Sequence, residues 1–191
     1  MSAPILIPLP EVADWTDHAH RNTDWNAAGW TERSQTIRFQ AALRHLEPRP
    51  GETLVDYGCG PGRLSEFLNH QIRYIGIDRN HAMIERAQAN HAAPGRSFLT
   101  TDEPLPPCDL IACVGTWNLR RDGSTYEHIE QLWNTVTGAR TLVALAYRGD
   151  DPRCVIHDPG ELADFASYLG CTRFIVDASY LTNDVLLALH R

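Results

Sequence analysis

The sequence predicts an α/β fold: a doubly wound, mostly parallel seven-stranded sheet with an antiparallel terminal strand, preceded by a helical N-terminal extension. Three observations point there. From residue 53 onward, short apolar runs alternate with stretches of helical periodicity. The first apolar run leads straight into a glycine-rich turn, Asp56-Tyr-Gly-Cys-Gly-Pro-Gly62. The last two runs, about 172–178 and 184–190, are joined only by a short turn around 181–183, which makes them an antiparallel pair.

The elements follow in order. Residues 1–10 are punctuated by proline and read as an extended arm, and 11–30 are polar with three tryptophans, Trp15, Trp25 and Trp30. Ile37, Phe39, Leu43 and Leu46 recur near helical spacing over 31–46, and Pro48, Pro50 and Gly51 close that helix. The first strand is 53–57, followed by a helix over 62–69. The second strand, 74–78, ends in Asp78 and precedes a helix to about residue 90 with Met83, Ile84 and Ala87 on one face. A third strand over 97–101 ends at Asp102, and a proline-rich loop leads to a fourth over 109–114. Ser124-Thr-Tyr-Glu127 is a capping box, opening a helix that turns Ile129, Leu132, Trp133 and Val136 inward. The fifth strand is 141–147. Asp158-Pro159 supplies an N-cap and a proline at the first helical position, and Gly170 ends that helix. Two regions result: an N-terminal helical extension or lid, 1–50, and a ligand-binding domain, 51–191.

Composition narrows the function. At 191 residues the chain fits one hydrophobic core. No apolar run approaches the roughly 20 residues that span a bilayer. The first ten residues lack the basic start and long apolar middle of a signal peptide, so a cytoplasmic location and no membrane partner are expected. The net charge is −7 and lysine is missing altogether, which disfavours nucleic acid as a partner. Cys59, Cys108, Cys113, Cys154 and Cys171 form no C-x-x-C pair and are odd in number, so neither a disulfide framework nor a zinc site is indicated. No metal is expected. The oligomeric state is not legible.

The turn at 56–62 carries the chemistry. Glycine there allows dihedrals that other residues avoid and lets a ligand approach bare backbone. The dinucleotide fingerprint needs G-x-G-x-x-G, but Arg63 or Ser65 stands where the third glycine would be. The phosphate-loop motif is absent too. In a doubly wound sheet, ligands lie beyond the carboxyl ends of the strands. That rule selects 56–62, 78–79, 101–102, 115–118 and 147–148. Asp78, 22 residues after Asp56, can accept hydrogen bonds from both hydroxyls of a ribose, or it can cap the following helix.

The D-x-G-x-G-x-G turn after a strand, the acid after strand two, the aspartate after strand three and the terminal strand pair resemble the class I methyltransferases that use S-adenosylmethionine. The resemblance runs from Leu54 to Arg191 and implies a Rossmann-like sheet and S-adenosylmethionine as cofactor. It implies cofactor contacts from Asp56, Gly58, Cys59, Gly60, Gly62, Asp78, Arg79, Asp102 and Gly115. Asp102 would bond the adenine amine, or it is simply a loop acid. The leader is similar to the helical extension of the small-molecule-modifying enzymes, which would bring Trp25, Trp30, Ser34 and Arg38 near the cofactor. Arg38 would pair with the methionine carboxylate, or stand exposed on its helix. The strand-four exit, Gly115-Thr-Trp-Asn118, departs from the N/D-P-P-Y/F motif of base- and glutamine-modifying members, which counts against those acceptors.

The expected function is methyl transfer to a small-molecule acceptor through an N or O nucleophile, mainly by positioning, as part of small-molecule biosynthesis. Trp25, Trp30 and Trp117 are expected to meet the acceptor, with Trp117 at the mouth of the pocket. Asn118, Tyr147 and His157 are the expected catalytic residues, the last two as general-base candidates. Two alternatives keep the cofactor: cyclisation or cleavage of its aminobutyrate chain, and a binding domain that regulates without turnover.

Overall fold

The computed structural model describes residues 20–21, 23–24, 29–101, 105–117, 125–136, 138–149 and 156–191. Seven strands form one sheet in the order β3-β2-β1-β4-β5-β7-β6. In chain order they are β1 (Thr53–Tyr57), β2 (Arg73–Asp78), β3 (Arg96–Thr100), β4 (Leu110–Cys113), β5 (Thr141–Tyr147), β6 (Arg173–Asp177) and β7 (Asp184–His190). The first five pair in parallel, and β7 is antiparallel to both β5 and β6. The doubly wound sheet with its antiparallel terminal strand is therefore present. Strand order reverses between β1 and β4, which opens a crevice at their carboxyl ends.

Among the described residues, four helices cover the two faces: α1 (Glu32–Leu46), α2 (His81–His91), α3 (Thr125–Thr135) and α4 (Pro159–Tyr168). Their ends follow local chemistry. Thr31 and Ser34 cap α1 reciprocally, and Glu47, with φ of 47°, ends it before two prolines. The Asn80 side chain accepts from the amides of Ala82 and Met83 at the start of α2, and Asp158 does the same for Gly160 and Glu161 at α4.

Alternation along β1 divides the core. Val55 and Tyr57 face α3 and α4, packing with Ile129, Leu132, Trp133 and Leu162. Leu54 faces α1 and α2, packing with Phe39, Leu46, Leu64 and Ile84. Each such fully buried Leu or Ile contributes on the order of 1.5–3 kcal/mol. The helix expected over 62–69 is instead a short 3-10 helix, Arg63–Phe67. The Ser65 hydroxyl donates to the Gly62 carbonyl at 2.7 Å, and the amides of Ser65 and Leu68 bond three residues back. The chain must also turn at Asn69 to enter β2, which leaves no length for an α-helix.

Candidate cofactor and acceptor site

Asp56 lies at the fourth position of β1, directly opposite Gly76 of β2. It is only 3% exposed. The Tyr74 phenol, two residues before Gly76, donates to Asp56 Oδ2 at 2.7 Å. Burial raises the Asp56 carboxyl to about 7, a shift that the Tyr74 hydrogen bond opposes and the nearby Asp78 reinforces. Asp56 is thus a buried support beneath the turn. Tyr74 was not legible as a site residue, since an aromatic in a strand reads as core.

The turn itself wraps onto the end of β2. The amides of Gly58 and Cys59 donate to the Ile77 carbonyl at 2.7 and 2.9 Å, and the Gly62 amide donates to Cys59 at 3.0 Å. Asp78 accepts from the Gly60 amide at 2.8 Å and from the Asn80 amide at 2.9 Å. These four amides of the turn already have partners within the protein. The three glycines have φ of 78°, 53° and 82°, where other residues are strained. A Cβ on Gly58 would fall 1.7 Å from Thr116, and one on Gly62 would fall 2.5 Å from Phe98. Gly60 is different: nothing lies within 4 Å of its Cβ position. The turn is therefore closed beneath and open at Gly60.

The Cys59 thiol packs against Gly76, where a Cβ would come within 2.9 Å, and burial pushes its pKa well up. It is an inert filler under the turn. Asp78 is half-buried, and burial raises its carboxyl as well. Asn80, not Asp78, caps α2; Asp78 is held by the backbone amides of Gly60, Arg79 and Asn80, and the four lone pairs of its carboxylate leave it acceptor capacity beyond these. Arg79 adjoins it and attracts its charged form. Asp102, expected after β3, lies outside the described residues.

On the far side of the crevice stands Gly115, with φ of 95° and a Cβ position 2.7 Å from the Trp30 ring. Trp30 thus lies against the β4 exit. The leader is tied down on the opposite side as well, where Asp24 accepts from Arg86 at 2.6 Å and pairs with His91 at 2.8 Å on α2. Asp24 was missed because its partners are more than 60 residues away. Trp25, between the two anchors, lies outside the described residues.

Three expectations meet a different structure. Arg38 pairs through two nitrogens with the buried Asp184, at 2.7 and 3.1 Å, and stacks over Trp30 at 4.6 Å. That fixes it at the start of β7 and not toward a methionine carboxylate. Trp117 is 1% exposed, not at a pocket mouth, and packs among Tyr126 and His157. His157 is also 1% exposed, with Nδ1 3.3 Å from the Tyr126 hydroxyl, and burial lowers its pKa. The loop residue expected to be free is drawn under β5 because its amide donates to the Tyr147 carbonyl at 2.8 Å. Tyr147 is half-buried at the end of β5, its hydroxyl 2.3 Å from where a Cβ on Gly149 would lie. Asn118 lies outside the described residues.

Residues 54–135 match the family described as methyltransferase domain. An uncharacterised methyltransferase of Mycobacterium bovis is 27% identical over 127 residues, 64% of this chain and 60% of its own length. A 23S rRNA uracil-C5 methyltransferase of Verminephrobacter eiseniae is 36% identical over 73 residues, 38% of this chain and 15% of its own. The chain therefore spans less than two thirds of the length of these curated relatives. Among solved structures, magnesium protoporphyrin IX methyltransferase from Synechocystis, with bound S-adenosylhomocysteine, superposes with a TM-score of 0.68 at 17% identity, covering 93% of this chain and 92% of that one. Residues 54–135 match the methyltransferase-domain family model, and the chain has the class I, Rossmann-like fold seen in S-adenosylmethionine-dependent methyltransferases.

Proposed function

We propose that this chain transfers the methyl group of S-adenosylmethionine to an N or O nucleophile of a small-molecule acceptor. The observation that carries the cofactor reading is the turn after β1, closed beneath at Gly58 and Gly62, open at Gly60, with Asp78 across it. Gly60 offers bare backbone to the cofactor, and Asp78 takes the ribose hydroxyls with its remaining acceptor capacity. Asp56 and Cys59 act from below, holding the turn in shape. Gly115 and Trp30 close the side toward β4, where Trp30 faces the acceptor; Trp25 is the other acceptor contact we propose from the sequence. When bound, the cofactor supplies a methyl group already activated by its sulfonium.

The chain's contribution is alignment and exclusion of water. His157 is sealed behind Trp117, which suits a neutral packing role better than proton abstraction. Tyr147 remains at the acceptor edge, and Asn118 is the other orienting candidate. A small acceptor is favoured by the net charge of −7. One relative acts on rRNA and one structural neighbour on a porphyrin, by their names, so acceptor class varies within this fold.

Calorimetry with S-adenosylhomocysteine tests the reading. Micromolar binding is expected, weakened at least about tenfold by Asp78→Ala, which removes a charge-assisted acceptor. No binding by the unaltered protein overturns it. With S-adenosylmethionine and an acceptor panel, S-adenosylhomocysteine is the expected product; methylthioadenosine would establish chemistry on the aminobutyrate chain instead.

A further inference from the structure

The cofactor reading gives the crevice a direction. Asp78 on β2 holds the nucleoside end, the turn follows β1 and Gly115 follows β4, so the reacting end points toward β5 and β7. The described side chains at that corner include Trp30, Arg38, Tyr147, Arg148 and Tyr180. The carboxylates described there are already paired. Asp184 is held by Arg38 through both oxygens, and Asp177 by His45 at 2.9 Å and by Ser179 at 2.6 Å.

Arg148 is not paired in this way. It directly follows β5 and is exposed. Its own amide donates to the Asn183 carbonyl at 2.9 Å, and its Nε donates to the Thr182 carbonyl at 3.0 Å. Its two terminal nitrogens meet no acceptor among the described residues. Its charge reaches the buried Tyr180 hydroxyl, which itself has no hydrogen-bond partner among the described residues.

We infer that Arg148 is the specificity residue for a methyl acceptor that carries a carboxylate. This rests on the reading of the crevice as a methyltransferase site. A guanidinium anchored at Nε keeps its terminal nitrogens as a planar fork, and that fork matches the two oxygens of a carboxylate. Both anchoring carbonyls lie in the turn before β7, so the fork is fixed relative to the sheet. A phosphate monoester would leave one of its three terminal oxygens outside the fork. In a chain of net charge −7, a cation with no compensating carboxylate among the described residues also draws an anionic acceptor to this edge of the crevice. Asp150 and Asp151 follow in the sequence, outside the described residues, and the test decides whether they occupy the fork.

The test uses two probes of the same shape and different charge, benzoate and benzamide. Each is titrated into the full chain saturated with S-adenosylhomocysteine. Benzoate is expected to bind about tenfold more tightly than benzamide, the scale of one bidentate charged contact partly exposed to water. Arg148→Gln should bring the two probes level while leaving the affinity for S-adenosylhomocysteine unchanged. Arg33→Gln, on the exposed start of α1, should leave the preference intact. Equal binding of the two probes, or binding of neither, overturns the inference, as does a preference that survives Arg148→Gln. Failure to bind S-adenosylhomocysteine at the outset overturns the methyltransferase reading instead.

Discussion

The two halves of the carboxyl edge are built in different ways. On the β1–β2 side, the turn is held by its own backbone: four of its amides have partners within the turn, on Ile77 or on Asp78. On the β4–β5–β7 side, side chains from four distant segments make the structure, with Trp30 on Gly115, Arg38 on Asp184 and Arg148 on Thr182. The first half is fixed by dihedral angles and short-range hydrogen bonds, the second by long-range pairing. Holding a cofactor, the task we propose for this side, suits the first design. A task that differs between relatives, choosing the acceptor, suits the second, because side chains can change without disturbing the sheet.

The largest effect expected is at Gly58. Gly58→Ala places a methyl 1.7 Å from Thr116 at a φ of 78°, and should cost about 3–5 kcal/mol in urea unfolding and abolish binding of S-adenosylhomocysteine. Gly60→Ala is the contrast. Its Cβ position is open, so stability should fall by only about 1–2 kcal/mol while affinity falls at least about tenfold. Equal loss of stability at both positions would contradict a turn that is closed below and open above.

Arg38→Ala tests the other half. It leaves Asp184, 1% exposed, without its partner and should cost about 3 kcal/mol in the same measurement. S-adenosylhomocysteine affinity should change little, since Arg38 faces β7. A selective loss of cofactor affinity with stability intact would return Arg38 to the methionine carboxylate.

The smallest effect separates the halves by pH. Burial holds the Asp56 carboxyl at about 7, above its unfolded value, so its contribution to stability is full below about pH 4 and is lost as pH rises through 7. Asp177 runs the other way. Burial pushes its carboxyl up, but hydrogen bonds from Ser179 and His45 outweigh this and hold it at about 2. Its contribution is present above about pH 4 and is lost on acidification toward 2. Asp56→Asn should therefore be more stable than the unaltered protein at pH 8, with the advantage gone or reversed at pH 5. An advantage independent of pH would mean that Asp56 does not titrate in this range.

The β1–β2 half was legible because its determinants are local. The acid, the alternate glycines and the strand before them fall within ten residues, and Asp78 ends the next strand. Strand periodicity placed β1, β5 and β7 at their observed limits. The β4–β5–β7 half was not legible. His157 reads as a loop histidine and Trp117 as a pocket residue, yet the two stack in the core with ring centroids 5.1 Å apart. Tyr74 reads as core, yet its hydroxyl supports the acid of the turn.

The sequence by itself determined the alternation of strands and helices, the glycine-rich turn and the acid after β2. These depend on dihedral preference and on periodicities that span a few residues. Only the tertiary structure decided that the turn's amides face inward, that Arg38 belongs to Asp184 and that Trp30 covers Gly115. Those contacts join residues up to 146 positions apart. No local propensity encodes such a contact. It exists only once the sheet has brought its carboxyl ends to one edge.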